Sequence, residues 1–177
     1  MAKLPNEVPH NLESEQSVLA AMLLDNDSQT DILSALTTDD FYTDAHRTIY
    51  QAMKDLATSN KVIDFVTVTD ELERTGKLSQ VGGIIYVTEL AKIIPSTANY
   101  RYYLQIVKRD SLLRKLIRGA NDIIEKSLSG SEAEESVSFA EKTIFDITKE
   151  NDTSTVVAVT DVLPEVVERF DAVTKDK

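Results

Sequence analysis

The stretch from Ser96 to Ser129 restricts the fold more than any other part of the sequence, because it contains no proline and a single glycine, Gly119. Several of its residues recur at alternating spacings of three and four, which is the heptad pattern of a helix packed along one seam. They are Tyr103, Ile106, Asp110, Leu113, Ile117, Ala120 and Ile124. The pattern predicts one long α-helix whose apolar seam is interrupted by a single charge.

A second helix is predicted after the turn Ser129-Gly130-Ser131, where Ser131 and Glu134 match the capping-box pattern. Two consecutive helices joined by a short turn predict an αα-hairpin over residues 96–150. The predicted inner seam of the second helix consists of Val137, Ala140, Ile144 and Ile147.

The hairpin carries more apolar side chains than one seam per helix requires. An apolar surplus left in water forms a patch that usually marks an interface, so we expect self-association through the hairpin. The alternative, in which the rest of the protein covers the surplus, stays open. The surplus comprises Leu112, Leu116 and Ile123 on the first helix and Phe139 and Phe145 on the second.

Residues 1–95 predict a compact head of several helices, because capping residues and apolar stripes at helical spacing alternate along them. Asn11 and Asp64 are placed to cap two of these helices, and another helix runs from about Asp44 to Ser59. Phe41 is expected to fill the core, and Pro95 ends the last helix of the head.

Residues 151–177 predict a polar linker followed by a separate linker helix. Asp161 can cap that helix, and Pro164 is tolerated within its first turn. An apolar face on so short a helix needs a partner, so the helix either folds back on its own chain or is received by another domain or subunit. The apolar face comprises Leu163, Val166, Val167, Phe170 and Val173. The predicted fold class is therefore all-α: a compact multi-helix head, a long αα-hairpin and a separate linker helix.

The charge is acidic overall and unevenly distributed. The formal net charge of −11 opposes tight binding to nucleic-acid phosphates, which require a basic surface. Residues 96–130 nevertheless hold seven basic and three acidic residues, whereas residues 131–177 hold five basic and twelve acidic ones. A basic segment followed by an acidic one predicts mutual packing within the chain or complementary contacts between subunits.

The sequence lacks the motifs of nucleotide chemistry. A P-loop needs glycines followed by Lys and then Ser or Thr, whereas the Gly76-Lys77 pair is followed by Leu78, and Glu71 stands where the first glycine belongs. Cysteine is absent, which excludes disulfides and Cys-based zinc sites. We therefore expect no catalytic residue and no cofactor in this chain.

His46 lies near Asp39, Asp40 and Asp44, a grouping that metal sites share. Three acids from a loop and a helix start make a weak ligand set, and helix capping by Asp44 beside a hydrogen-bonded His46 explains the same residues better. We expect no metal site. The start of the chain has no signal-peptide core, and no apolar run approaches the roughly 20 residues that cross a bilayer. A cytoplasmic protein is expected.

Blocks of residues in a fixed order resemble the N-terminal domain of DnaB-type bacterial replicative DNA helicases, from about residue 4 to 150. Several such blocks in order are far more specific than any single one, and the tail resembles the linker helix of that family, apart from Pro164. The blocks are residues 8–19, Asp40-Phe41-Tyr42 with residues 45–50, Ile63-Asp64 with Val66-Thr67 and Glu71-Leu72, Val81-Gly82-Gly83 with Tyr86 and Leu90, and residues 95–99.

The resemblance implies that the parent protein is a ring-shaped hexameric helicase that unwinds DNA at the replication fork with ATP and magnesium. Its RecA-like ATPase domain is absent from these 177 residues. The N-terminal domains would form a collar, pairing through their hairpins into a trimer of dimers. The collar would bind the C-terminal domain of primase and, in some bacteria, contact the helicase loader. The linker helix would dock on the ATPase domain of a neighbouring subunit.

A helical DNA-binding regulator with a dimerisation hairpin is the alternative from another functional class. Such a regulator needs a basic recognition helix, and the head offers none. An enzyme that depends on a metal or a nucleotide is a third interpretation, which the missing motifs oppose.

Overall fold

The structure, a computed structural model, describes residues 7–93 and 97–152. Within those ranges the chain forms α-helices joined by short 3-10 turns and contains no strand, which confirms the predicted all-α fold. The helices are α1 (Leu12–Leu24), α2 (Asn26–Ala35), α3 (Asp44–Thr58), α4 (Phe65–Arg74), α5 (Gly83–Ile93), α6 (Tyr100–Leu128) and α7 (Ala133–Asp152).

Helix α1 is the centre of the head and is buried on nearly every side, with Val18 through Met22 inaccessible to solvent. The side chain of Asn11 accepts a hydrogen bond from the Ser14 amide and begins the helix, as predicted. Asp25 ends α1 and also caps α2 by accepting from the Ser28 amide. The chain therefore makes a sharp corner between two consecutive helices at this residue.

Helices α3 and α4 end in the same way. Asn60 and Gly76 adopt positive φ values of 53° and 68°. The amide that follows each of them reaches back to a carbonyl of the last helical turn, Lys61 to Leu56 and Lys77 to Leu72. These are Schellman ends, which satisfy carbonyls that the helix itself leaves unpaired. The turn after Asn60 brings α4 back against α3, and the turn after Gly76 leads the chain on towards α5.

Helix α6 belongs to both the head and the hairpin. Its first half contributes Leu104 and Val107 to the core of the head, and its second half pairs with α7. The head core therefore extends past residue 95, where the sequence suggests a boundary. Because one continuous helix joins the two parts, the hairpin projects from the head in a defined direction.

The predicted inner seam of the hairpin is only partly correct: Ala140 and Ile147 of α7 are half-buried, and Ile147 meets α6, but other predicted members are not inside. Leu113 and Ile124 of α6, and Val137 and Ile144 of α7, are exposed. The helices instead meet at Gly119, where an added Cβ would lie 2.9 Å from Ile147 Cδ1 and 3.0 Å from Thr143 Cγ2. The small residue lets the two backbones approach closely, and this close packing determines which faces meet.

The predicted linker helix and its docking residues, Leu163, Val166, Val167, Phe170 and Val173, lie outside the described residues. The same holds for Pro95, the predicted end of the head.

We predict that replacing Gly119 by leucine destabilises the hairpin by about 1–3 kcal/mol, because extra methylenes in a packed contact force the helices apart. Gly119→Ala should be close to neutral, since about 1 kcal/mol of added helix propensity offsets the tight contact with two side-chain ends. The matched control is Ala120→Leu at the next position, which is exposed. Thermal unfolding of the three variants measures the effect, and equal stability of Gly119→Leu and Ala120→Leu would contradict the close-approach role.

Candidate interaction surface

One side of the hairpin carries large apolar side chains that the chain itself leaves in water. Leu113 is 40% exposed and Ile124 is 55% exposed on α6, while Val137 is 58% and Ile144 is 43% exposed on α7. Ile117, between the two residues of α6, is half-buried. Isolated exposed apolar residues are ordinary, but a row of them along two paired helices forms a patch of the kind that marks interfaces.

The helical register places these residues on one side of the hairpin. At about 100° per residue, Leu113 and Ile124 lie roughly a third of a turn from the Gly119 contact on α6. Val137 and Ile144 lie about a quarter of a turn from the Thr143 and Ile147 contact on α7. Because the helices are antiparallel, these equal-handed rotations point to the same side. We call Leu113, Ile117, Ile124, Val137 and Ile144 the hairpin face.

The residues that the sequence suggested for self-association fall into two groups. Leu112, Leu116 and Ile123 are half-buried and share the helical register of Gly119, the point at which α6 meets α7. Phe139 and Phe145 are exposed at 36% and 62%. The role of all five in self-association stays a prediction, and the hairpin face adds exposed residues that the sequence pattern had assigned to the inside.

Polar groups hold the opposite side of α6 against the head. The Ser111 hydroxyl donates to Asp40, and Lys115 pairs with the same carboxylate at 3.4 Å. Burial acts to raise the pKa of Asp40, yet the hydrogen bonds from Ser111 and Thr37 and the charge of Lys115 outweigh it and hold that pKa below its ordinary value. The carboxylate therefore stays ionised where the two parts of the molecule join.

Arg114 completes this junction. Its guanidinium donates to the carbonyl oxygens of Pro9 and Asp40 and lies over the Tyr42 ring, whose other neighbour is the stacked ring of His10. Burial lowers the pKa of this guanidinium. The Arg114-Lys115 pair is therefore used inside the fold, which removes it as a contact for nucleic-acid phosphates.

A buried hydrogen-bonded chain connects three helices of the head. Glu15 on α1 accepts from the Tyr42 amide at 2.7 Å and from His46 Nδ1 on α3 at 2.6 Å. His46 Nε2 lies 2.7 Å from the Tyr86 hydroxyl on α5, which also receives Gln16 Nε2 at 3.1 Å. A proton on Nδ1 of His46 donates to Glu15, and Nε2 then accepts from the Tyr86 hydroxyl, so these contacts form one consistent set of hydrogen bonds.

The sequence indicated only part of this chain. The sequence predicts a hydrogen-bonded His46, but it assigns neither Glu15 nor Tyr86 to such a chain. Glu15 is 1% exposed. One pattern in the sequence does indicate that Glu15 is buried. Glu15 precedes Leu19 by one helical turn and therefore shares the apolar side of α1, where an acid needs a hydrogen-bond partner.

A shallow polar cavity of about 350 Å³ lies between the ends of α3 and α4. Glu71 lines it and is buried. Arg74 donates to both oxygens of this carboxylate and lowers its pKa. Within the described ranges, no group of three or more His, Cys, Asp or Glu residues is placed to hold a metal ion, and no helix has the length and hydropathy to cross a membrane.

Comparison with known proteins gives a consistent result. Residues 7–109 match the family model of the DnaB-like helicase N-terminal domain. The chain is 42% identical over 156 residues to the replicative DNA helicase DnaC of Bacillus subtilis (strain 168), covering 88% of this chain and 34% of that protein. It is 35% identical over 168 residues to the replicative DNA helicase DnaB of Mycobacterium leprae (strain TN), covering 93% of this chain and 28% of that protein. The chain thus spans about a third of the length of these relatives.

Two solved structures are similar to the fold. The crystal structure of the N-terminal domain of DnaB helicase from Mycobacterium tuberculosis has a TM-score of 0.75 and 37% identity, covering 79% of this chain and 99% of that one. A DnaB-like replicative helicase, whose structure was described with its interactions with primase, has a TM-score of 0.66 and 28% identity, covering 89% of this chain and 35% of that one.

We predict that Glu15→Ala destabilises the head strongly. The substitution leaves the Tyr42 amide and the Nδ1 proton of His46 without an acceptor, and each buried unpaired donor costs about 1–3 kcal/mol. The control is Glu13→Ala, an exposed position on the same turn, which should change the stability by less than about 0.5 kcal/mol. Urea unfolding measures both variants, and an equally small change for Glu15→Ala would show that the buried chain does not stabilise the head.

Proposed function

We propose that this chain, which belongs to the family of DnaB-like helicase N-terminal domains, is the assembly and primase-docking collar of a hexameric, ATP-dependent replicative DNA helicase. The chain itself is non-catalytic in this proposal. ATP, magnesium and DNA unwinding belong to an ATPase domain elsewhere in the parent protein. The relatives are about three times as long as the matched region, which leaves room for such a domain.

The exposed hairpin face is the observation that supports assembly. Burying a Leu, Ile or Val side chain stabilises a complex by about 1.5–3 kcal/mol relative to leaving it in water. The face offers five such residues on a support that close packing at Gly119 keeps rigid. A second copy of the chain presents the same face, so two hairpins can pair symmetrically. Three such pairs would form the trimer of dimers that the family resemblance implies.

Primase docking is supported by the similar helicase that was described with primase, since the similarity covers 89% of this chain. In this proposal, the C-terminal domain of primase is the part of primase that binds the collar. The helicase loader is a further partner of the collar in this proposal. The linker helix would dock on the ATPase domain of a neighbouring subunit through Leu163, Val166, Val167, Phe170 and Val173.

We predict that Ile124→Asp weakens self-association by at least about tenfold while leaving the thermal unfolding midpoint nearly unchanged. A carboxylate buried without a partner at an interface costs several kcal/mol, and each 1.4 kcal/mol is a factor of ten in the dissociation constant. Sedimentation velocity over a concentration series measures the association.

Two variants serve as comparisons for Ile124→Asp. Val66→Asp changes an exposed apolar residue of the head and should leave association intact. Leu116→Asp changes a half-buried residue in the register of the α6–α7 contact and should lower the unfolding midpoint. A strictly monomeric unmodified protein at high concentration, with its hairpin folded, would contradict assembly through the hairpin.

We predict that the chain binds the isolated C-terminal domain of a primase in a saturable manner, as measured by calorimetry. Duplex DNA is the matching negative control, because the acidic chain should repel phosphates and its Arg114 and Lys115 are engaged inside the fold. Tight DNA binding that weakens steeply with salt would favour the regulator instead. Absence of primase binding by the folded chain would remove primase docking from the proposal.

A further inference from the structure

The base of α6 presents a second strip, made of two apolar side chains and one arginine, that is exposed at both ends. Tyr102 is 65% exposed, Ile106 is half-buried, and Arg109 has 64% of its side chain exposed. Their spacings of four and three place them on one side of the helix, in line with Leu113. We call Tyr102, Ile106 and Arg109 the proximal strip.

The chain leaves the hairpin beside this strip. Gly119 contacts Thr143 and Ile147, so antiparallel pairing brings the last residue of α7, Asp152, to about the level of Leu112. From there Tyr102 is about ten residues, or about 15 Å, further along α6. The eleven residues from Asp152 to Leu163 can extend to about 36 Å. The segment after α7 therefore reaches the proximal strip easily.

Charge favours the same pairing. Residues 97–109 contain three basic residues, Arg101, Lys108 and Arg109, and no acidic residue. Arg101 pairs with Asp31 and Arg109 with Asp110, and both guanidinium groups stay largely exposed. Residues 156–173 contain four acidic residues and one basic residue. That segment also repeats apolar residues at helical spacing, so it combines an apolar face with an acidic one. The proximal strip has the complementary combination, an apolar line bordered by basic side chains.

We propose that the acidic segment 156–173 docks on the proximal strip of its own chain. Leu163, Val166 and Phe170 would cover Tyr102 and Ile106, while the carboxylates face the basic border. This goes beyond the proposed function, in which the same apolar residues bind a neighbouring ATPase domain. One apolar face cannot occupy both receptors, so docking on α6 competes with docking on the neighbour and regulates when subunits become linked.

Paramagnetic relaxation tests the proposal on the whole 177-residue chain. The protein has no cysteine, so Glu168→Cys gives a single attachment point for a nitroxide on the polar side of the segment. The amide signals of residues 102–109 should broaden, while those of Ile124 to Leu128, at the far end of α6, should not. Raising the salt concentration should reduce the broadening, because part of the attraction is between exposed charges.

Three variants and a mixing control make the result decisive. Tyr102→Glu and Val166→Asp should each abolish the broadening. Leu128→Glu, at an 81% exposed position on the same helix, should leave it unchanged. Mixing spin-labelled protein with isotope-labelled protein that carries no spin label reports contacts between copies.

The proposal is wrong if residues 102–109 do not broaden in the spin-labelled chain, or if they broaden only in the mixed sample. Broadening that survives both Tyr102→Glu and Val166→Asp also contradicts it. These outcomes are independent of self-association through the hairpin face and of primase binding, which are measured without a spin label and with different variants.

Discussion

The contact of Asp40 with α6 determines how the remainder of the molecule is arranged. Ser111 donates to this carboxylate, Lys115 pairs with it, and Arg114 donates to the carbonyl of the same residue. All of these groups lie on one side of α6, so they set the rotation of a 29-residue helix about its own axis. Once that rotation is set, the residues available to α7 and those left in water are determined as well.

This dependence explains what could be predicted from the sequence. Caps and apolar spacing gave the order, type and approximate ends of the helices, because these depend on neighbours along the chain. Asn11 and Asp64 cap helices as expected, and the apolar pair Val68 and Leu72 is buried on the helix that Asp64 begins.

The rotation of α6 could not be predicted in the same way. Two apolar stripes lie side by side on this helix. Hydrophobic periodicity predicts that the stripe with the more regular heptad spacing faces α7. The structure reverses that assignment because polar residues from the first 42 positions hold one side of α6, and because Gly119 allows the closest approach to α7. Both effects join residues that are distant in sequence, so no local pattern reveals them. The self-association residues inferred from the surplus stripe depend on this same rotation of α6.

The buried chain from Glu15 through His46 to Tyr86 places polar bonding at the centre of the head. It joins α1, α3 and α5 by directional contacts, whereas apolar packing alone would allow these helices to slide. A satisfied polar chain of this kind favours one arrangement over similar compact alternatives. The head is thus a firm base from which α6 projects.

The base of α6 packs in the head, whereas its outer part pairs with α7. The hairpin can therefore differ in length without a change in the head. Near the tip, the ion pair of Lys126 with Glu135 and the hydrogen bond between Ser129 and Ser131 join residues of the hairpin to one another. Adding one heptad to each helix would keep the same faces in register and move the tip outward by about 10 Å. The head would be unaffected. Related chains can therefore differ in the reach of this arm, and with it in the diameter of any ring they build, while keeping an identical base.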